Sequence, residues 1–168
     1  MENIKTNIIY AEEKYFQSFY ESLSIVAKER IYIEMIEAPP IEKIISFQKE
    51  HIANNSPVFY VLYNEQVIGW CDITPYKNPR LSHRGGLGMG IIPEFRGKGL
   101  GTQLIEVSLS HAKSMGLEKV EFNVYTENFP AINLYKKFGF EEEGIIRKYR
   151  KLDGQYFDCL VMAKFLQK

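Results

Sequence analysis

The stretch LGMGIIPEFRGKGLG, residues 87–101, decides the fold. Its first half is an apolar run ending at Ile92, which reads as a strand. Pro93, Glu94 and Phe95 stop that strand. Arg96, Gly97, Lys98, Gly99, Leu100 and Gly101 then form a glycine-rich loop. The loop runs into an amphipathic helix predicted over residues 98–116, with Leu100, Leu104, Ile105, Leu109 and Ala112 on one face. A glycine-rich turn at a helix start presents unpaired N–H groups and the positive end of the helix dipole. Such a turn holds a phosphate or pyrophosphate with few charged side chains. Arg96 and Lys98 add positive charge at the same place.

Two familiar nucleotide loops fail against this stretch. A Walker A loop requires Lys-Ser/Thr after its last glycine, and Leu100 and Thr102 flank Gly101 instead. A dinucleotide fingerprint requires G-x-G-x-x-G after the first strand of a βαβ unit, whereas the order here is G-x-G-x-G in mid-chain. The spacing R-x-x-G-x-G does fit, through Arg96, Gly99 and Gly101. Downstream stands NFPAINLYKKFGF, residues 128–140. With these two motifs in this order, separated by a helix and a strand, the chain resembles the GNAT N-acetyltransferase superfamily. The likeness is strong from Gly86 onward and weak before Val58.

Composition agrees with one compact domain over residues 1–168. The chain is 45% hydrophobic and 14% aromatic, which argues against disorder. Its formal net charge is zero, so it carries no overall footprint for nucleic acid. No apolar run reaches membrane-spanning length, and the first residues lack the apolar centre of a secretory leader. A cytoplasmic protein is expected. Cys71 and Cys159 lie in apolar runs and read as small buried thiols in a reducing compartment. They imply no metal centre.

Strands and helices alternate along the chain. Strands are predicted at 3–10, 58–63, 66–74, 87–92 and 119–125, with a closing hairpin of 140–152 and 155–164. Helices are predicted at 11–30, 41–53, 98–116 and 130–138. This is an α/β, or α+β mixed-sheet, pattern with helices on both faces. The resemblance implies more: the GNAT fold, whose fourth and fifth strands splay apart and let the pantetheine arm of coenzyme A lie between them.

By the same resemblance, the reaction is attack of an amine on the thioester of acetyl-CoA, which serves as co-substrate. The cofactor would be held by Met89, Ile91 and Ile92 on the fourth strand, by Arg96 to Thr102 in the loop, and by Asn128 and Ala131 at the next helix. A backbone N–H between Met89 and Ile91 would meet the thioester oxygen as it gains charge. The glycines Gly85, Gly86, Gly88 and Gly90 are unusual inside a strand. They fit either a bulge that turns amides toward the thioester, or tight packing under a helix. Tyr135 occupies the tyrosine of the N-x-x-A-x-x-x-Y pattern, the general acid for the leaving thiolate. A phenol titrates near 10 and a thiol near 8.5, so the hydroxyl serves mainly as a hydrogen-bond donor. Asn128 is also predicted to cap the short helix.

The general base is left open by the sequence. Relatives place a glutamate where this chain has Asn123, an amide that takes no proton and is kept as a substrate contact. Glu121 stands two residues earlier. His83, beside Arg80 and Arg84, has the right ordinary pKa for a base. A water-relayed base meets the need equally. His51 and His111 read as surface residues. The run Arg147 to Lys151 reads as a solvated strand face.

PRLSH (79–83), residues 128–140 and KLDGQYFD (151–158) resemble the bacterial enzymes that acetylate free amino acids or related small amines. Phosphinothricin-type and ribosomal-protein-type enzymes are close neighbours. Glu34, with Tyr32 and Glu37 on a loop that lines the acceptor side of this fold, would suit a cationic amine. A protein N-terminus as acceptor and a non-catalytic acyl-CoA sensor stay open, as does a homodimer.

Overall fold

The computed structural model describes residues 5–166. The chain forms one seven-stranded sheet in the order β1-β2-β3-β4-β5-β7-β6. Its strands are β1 (Asn7–Tyr10), β2 (Val58–Tyr63), β3 (Gln66–Pro75), β4 (Arg84–Ile91), β5 (Lys119–Tyr125), β6 (Glu141–Leu152) and β7 (Gln155–Phe165). The helices are α1 (Phe16–Lys28), α2 (Ile41–Ala53), α3 (Leu100–Ser114) and α4 (Phe129–Lys137). The mixed sheet and its helices agree with the predicted class. Boundaries move by a few residues. β4 starts at Arg84 because Gly85 and Gly86 pair with Pro75 and Thr74. α3 starts at Leu100 because Gly99 has φ +77°, outside the right-handed helix. Asn3 and Ile4 of the predicted first strand lie outside the described residues.

Alternation along the strands builds two cores. On one face Cys71, Ile73, Leu87, Leu104, Ile105 and Tyr135 pack with α3 and α4. On the other, Tyr60, Trp70 and Val58 pack with Phe16, Phe19 and Leu23 of α1 and Ile44 of α2. Cys71 and Cys159 are free and buried.

β4 and β5 are the sheet's parallel neighbours, and they stay together for three pairs: Arg84–Lys119, Gly85–Val120 and Gly86–Glu121. Beyond Gly86 they part. The splayed strands implied by the resemblance are present.

The bulge expected among the β4 glycines is absent. The β3–β4 register runs unbroken from Pro75–Gly85 to Gly69–Ile91. Two of the glycines make room for side chains of β3 rather than for a helix. A Cβ on Gly90 would stand 2.4 Å from the Trp70 ring, and one on Gly85 would stand 2.8 Å from Ile73 Cγ2. Trp70 is only 4% exposed and has nowhere to move. Gly90→Ala should therefore overpack this face and destabilise the fold by about 3 kcal/mol. Urea unfolding checks this, and an unchanged midpoint would contradict the packing account.

Candidate active site

Backbone direction in β4 follows from two hydrogen bonds. Ile92 N–H donates to Ile68 C=O at 3.0 Å, and Arg84 C=O accepts from Tyr76 N–H at 3.1 Å. Even-numbered residues therefore turn their polar backbone groups toward β3, and odd-numbered ones turn theirs the other way. Met89 and Ile91 thus aim their N–H groups into the opening that β5 has left. The Ile91 carbonyl is already taken by Arg96 Nε at 2.8 Å. Strand amides without a strand partner, held in place by the rest of the sheet, are suited to meet an oxygen that gains charge.

Tyr135 lies beneath this opening. Its ring meets Phe122 of β5 at a tilt, 4.1 Å between centroids, and Phe140 edge-on at 5.7 Å. Its hydroxyl is within electrostatic reach of Cys71, the register partner of Met89. Tyr135 is thus set between β3 and β5, under β4. Burial, and secondarily the Cys71 thiol, push its pKa far above that of a free phenol. The hydroxyl stays protonated and can donate to a thiolate, while outright proton transfer becomes less favourable than an ordinary phenol would allow. Asn128 caps α4 as predicted, its Oδ1 accepting from Ala131 N–H at 3.4 Å.

The glycine-rich loop keeps its predicted place between β4 and α3. Gly97 and Gly99 have φ of +73° and +77°, with open space where a Cβ would stand. Here glycine supplies backbone freedom. The first α3 bond runs from Gln103 N–H to Gly99 C=O at 3.4 Å, so the amides of Leu100, Gly101 and Thr102 have no partner within the helix. Unpartnered amides at a helix start can hold an anion. Gly101 differs: a Cβ there would meet Leu134 Cδ2 at 2.9 Å. It lets α3 approach α4 and does not border the cradle by its side-chain position.

Of the two cations in the loop, Arg96 is paired. Arg96 Nη1 donates to Glu29 Oε1 at 2.8 Å, its Nη2 pairs with Oε2, and its guanidinium lies 4.6 Å from the Tyr32 ring centre. Arg96 is a rivet joining the loop to the end of α1 and to β4. Lys98 Nζ donates to Glu94 C=O at 2.7 Å.

Of the base candidates that the sequence offers, Glu121 is engaged by other side chains and His83 stands at the far end of β4 from Met89. His83 is exposed in the turn before β4, at the end where β4 and β5 are still paired. Its carbonyl, not its ring, does the work, accepting from Glu118 and Lys119 N–H at 2.8 and 3.2 Å. Glu121 accepts from Tyr76 at 2.9 Å and from Lys119 at 3.1 Å, and pairs with Arg84. Burial alone would raise its pKa, but those donors outweigh it and hold the carboxylate below its ordinary value. Asn123 is exposed on the same face of β5.

Four further positions depart from expectation. His51 is not a surface residue: it is 4% exposed, with Nδ1 2.9 Å from Phe47 C=O and Nε2 2.8 Å from Thr74 Oγ1. Burial lowers its pKa, so the ring is neutral near pH 7. His111 is half-buried, with Nε2 2.9 Å from Asn55 C=O. Glu34 already has a partner, its Oε1 accepting from Tyr149, which leaves Oε2 open. Arg150, in the run read as solvated, turns inward. Its Nη1 lies 3.2 Å from Arg30 C=O and 3.3 Å from the Tyr125 hydroxyl. Its Nη2 is buried without a partner among the described residues. Together with Arg30–Asp153, these contacts fasten the α1–α2 loop to the β6–β7 hairpin beside the opening.

The model of the acetyltransferase (GNAT) family matches residues 16–140. The chain belongs to that family. It is 27% identical over 150 residues to the L-amino acid N-acetyltransferase AaaT of Escherichia coli, covering 86% of this chain and 91% of that one. It is 32% identical over 127 residues to an N-alpha-acetyltransferase of Sulfurisphaera tokodaii, covering 70% and 74%. Its fold matches that of yncA from Salmonella typhimurium, solved with its cofactor acetyl-CoA, at a TM-score of 0.90 and 16% identity, over 97% of this chain and 95% of that one.

The rivet can be weighed. Arg96 and Glu29 side chains are 31% and 22% exposed, so solvent screening leaves a modest pair. Arg96→Met and Glu29→Gln should each destabilise by about 1–2 kcal/mol, with a coupling of about 1 kcal/mol in the double-mutant cycle. Additive losses in chemical denaturation would show that the two do not hold each other.

Proposed function

We propose that this chain transfers the acetyl group of acetyl-CoA to the primary amine of a small molecule, an amino acid or a close relative, in a ternary complex. The observation that carries the reading is the opening itself. Strand amides of Met89 and Ile91 look into it, a protonated Tyr135 lies beneath it, and an amide cradle stands at its mouth.

Each residue set has a part in that reaction. The amides from Gly97 to Thr102 would hold the pyrophosphate. The Met89 or Ile91 N–H would meet the thioester oxygen as the amine attacks. The new C–N bond forms, the C–S bond breaks, and the departing thiolate meets the Tyr135 hydroxyl. Asn128 and Ala131, at the start of α4, stand where the pantetheine arm would pass.

Arg150 favours a carboxylate on the acceptor. A buried guanidinium N–H without a partner is costly, and a carboxylate satisfies it with a charge-assisted bond. A hollow of about 160 Å³, lined by Tyr125, Glu127, Tyr156 and Asp158 among others, opens nearby. A free amino acid supplies both the amine and the carboxylate.

Two measurements test this. Thiol release and mass spectrometry should detect acetylation of amino acids by the purified chain. Arg150→Met should lower kcat/KM at least tenfold more for amino acids than for amines lacking a carboxylate. Acetylation of peptide N-termini alone would point to a protein acceptor, and acetyl-CoA binding without turnover would point to a sensor. Tyr135→Phe keeps the packed ring, so its melting temperature should hold while kcat and kcat/KM fall together by about a hundredfold. Turnover within threefold of the parent would make Tyr135 a core residue only.

A further inference from the structure

We propose that Asp72 is the catalytic base, the carboxylate that takes a proton from the acceptor's ammonium group. The proposal rests on the acetyl-transfer reading above.

Asp72 stands on β3 in register with Gly88 of β4. Neighbouring residues of a strand face opposite ways. Cys71 faces Tyr135 and the α3–α4 core, so Asp72 faces the α1–α2 side. Gly88 has no side chain to cover it. A Cβ built on Gly88 would lie 3.5 Å from both carboxyl oxygens. The carboxyl thus leans over the β4 backbone one residue before Met89, whose N–H looks into the opening. Base and acid flank that opening from opposite faces of the sheet, so each can reach its own proton without displacing the other.

Other groups on this face are occupied or unsuited. Glu121 is held by three donors, and Asn123 takes no proton. His51 is screened behind Thr74. Asp72 keeps partial solvent contact, so a proton can leave it. The titratable groups that reach it are Tyr60 of β2 and Cys71 beside it. The Thr74 hydroxyl is its hydrogen-bonding neighbour. β4 presents glycine, and α2 contributes the neutral His51 through Thr74. Thr74 has one hydrogen for two acceptors, Asp72 and His51 Nε2, so its help to the carboxylate is limited. Burial therefore prevails and pushes the Asp72 pKa up to about 7. A base poised near neutral pH is the useful kind.

The step balances. The ammonium gives one proton to the Asp72 carboxylate, and the freed nitrogen pair attacks the thioester carbon. C–N forms and C–S breaks. The second nitrogen proton goes to the thiolate, with Tyr135 donating a hydrogen bond or relaying the proton. The Asp72 proton then leaves to water. Ammonium and acetyl thioester become amide, free thiol and one proton.

The experiment uses the purified full chain, acetyl-CoA, and the best acceptor found among amino acids and simple amines. In the parent, kcat should rise with pH through about 7. Asp72→Asn should lose that limb and fall about a hundredfold at pH 8, with acetyl-CoA affinity by calorimetry within twofold. With 2,2,2-trifluoroethylamine, which is already neutral at pH 8, the deficit should shrink to within threefold. A merely structural Asp72 would slow both amines alike. Thr74→Val removes the hydroxyl that favours the carboxylate, so it should move the pH limb upward. An Asn variant as fast as the parent, equal losses with both amines, or an unmoved limb in Thr74→Val would overturn the base assignment. A parent that releases no thiol with any amine would overturn the acetyl-transfer reading instead.

Discussion

The parting of β4 from β5 after three residue pairs is the constraint on which the molecule turns. Inside a sheet, backbone N–H and C=O groups normally find partners on both sides. Here β4 keeps its β3 ladder intact to Ile91 while its other edge is abandoned beyond Gly86. The strand is rigid on one side and open on the other. That combination holds the Met89 and Ile91 amides in place without satisfying them. α4 and the β5–β7 ladder carry β5 away, and Phe122 takes Tyr135 with it.

The sheet then divides the chemistry by face. The lower face, that of α3 and α4, is apolar, and the Tyr135 hydroxyl there is kept protonated by burial. The upper face collects Asp72, Thr74, Tyr76, Glu121 and Asn123 around glycine positions of β4. Two carboxyls there are driven apart. Asp72 is desolvated with a single contested donor, while Glu121 has Arg84, Lys119 and Tyr76. Environments that split like groups in this way assign different roles to them. The split has a stability cost of definite sign. A carboxyl whose folded pKa lies above its unfolded one binds its proton more tightly in the fold. Its stabilising contribution is present at low pH and is lost as pH rises from about 4 to about 7.

The sequence made the elements legible because their local signals agree. Asn64 and Glu65 both adopt positive φ in the β2–β3 turn, as does the Asp153–Gly154 pair in the last one. Period-3.6 faces on α1 to α3 met no competing strand pattern. The loop's turn and the helix start after it were legible because their glycines are adjacent in the chain. Partners across the fold were not. Nothing near Arg96 announces Glu29, 67 residues away. The β4 glycines looked like a bulge because the ring of Trp70 reaches them only through strand register. Asp72 sits in an apolar run and carries no motif. Its meaning arises when Gly88 is placed opposite it.

The charge balance of the loop follows from the same distance in sequence. Arg96 and Lys98 suggest an anion site built on side-chain charge. Glu29 instead engages Arg96, and Lys98 gives one of its three hydrogens to the Glu94 carbonyl, so the loop's fixed donors are its amides. An amide cradle makes no demand on flexible side chains and keeps its donors aligned with the α3 dipole. The Glu29 pair fixes the loop to α1, and the same α1–α2 connection is tied by Arg30 and Ile33 to Arg150. The mouth that would receive the nucleotide end of the cofactor and the rim that would receive an acceptor are therefore joined by one short segment. Order imposed on either should be felt at the other through residues 29–34.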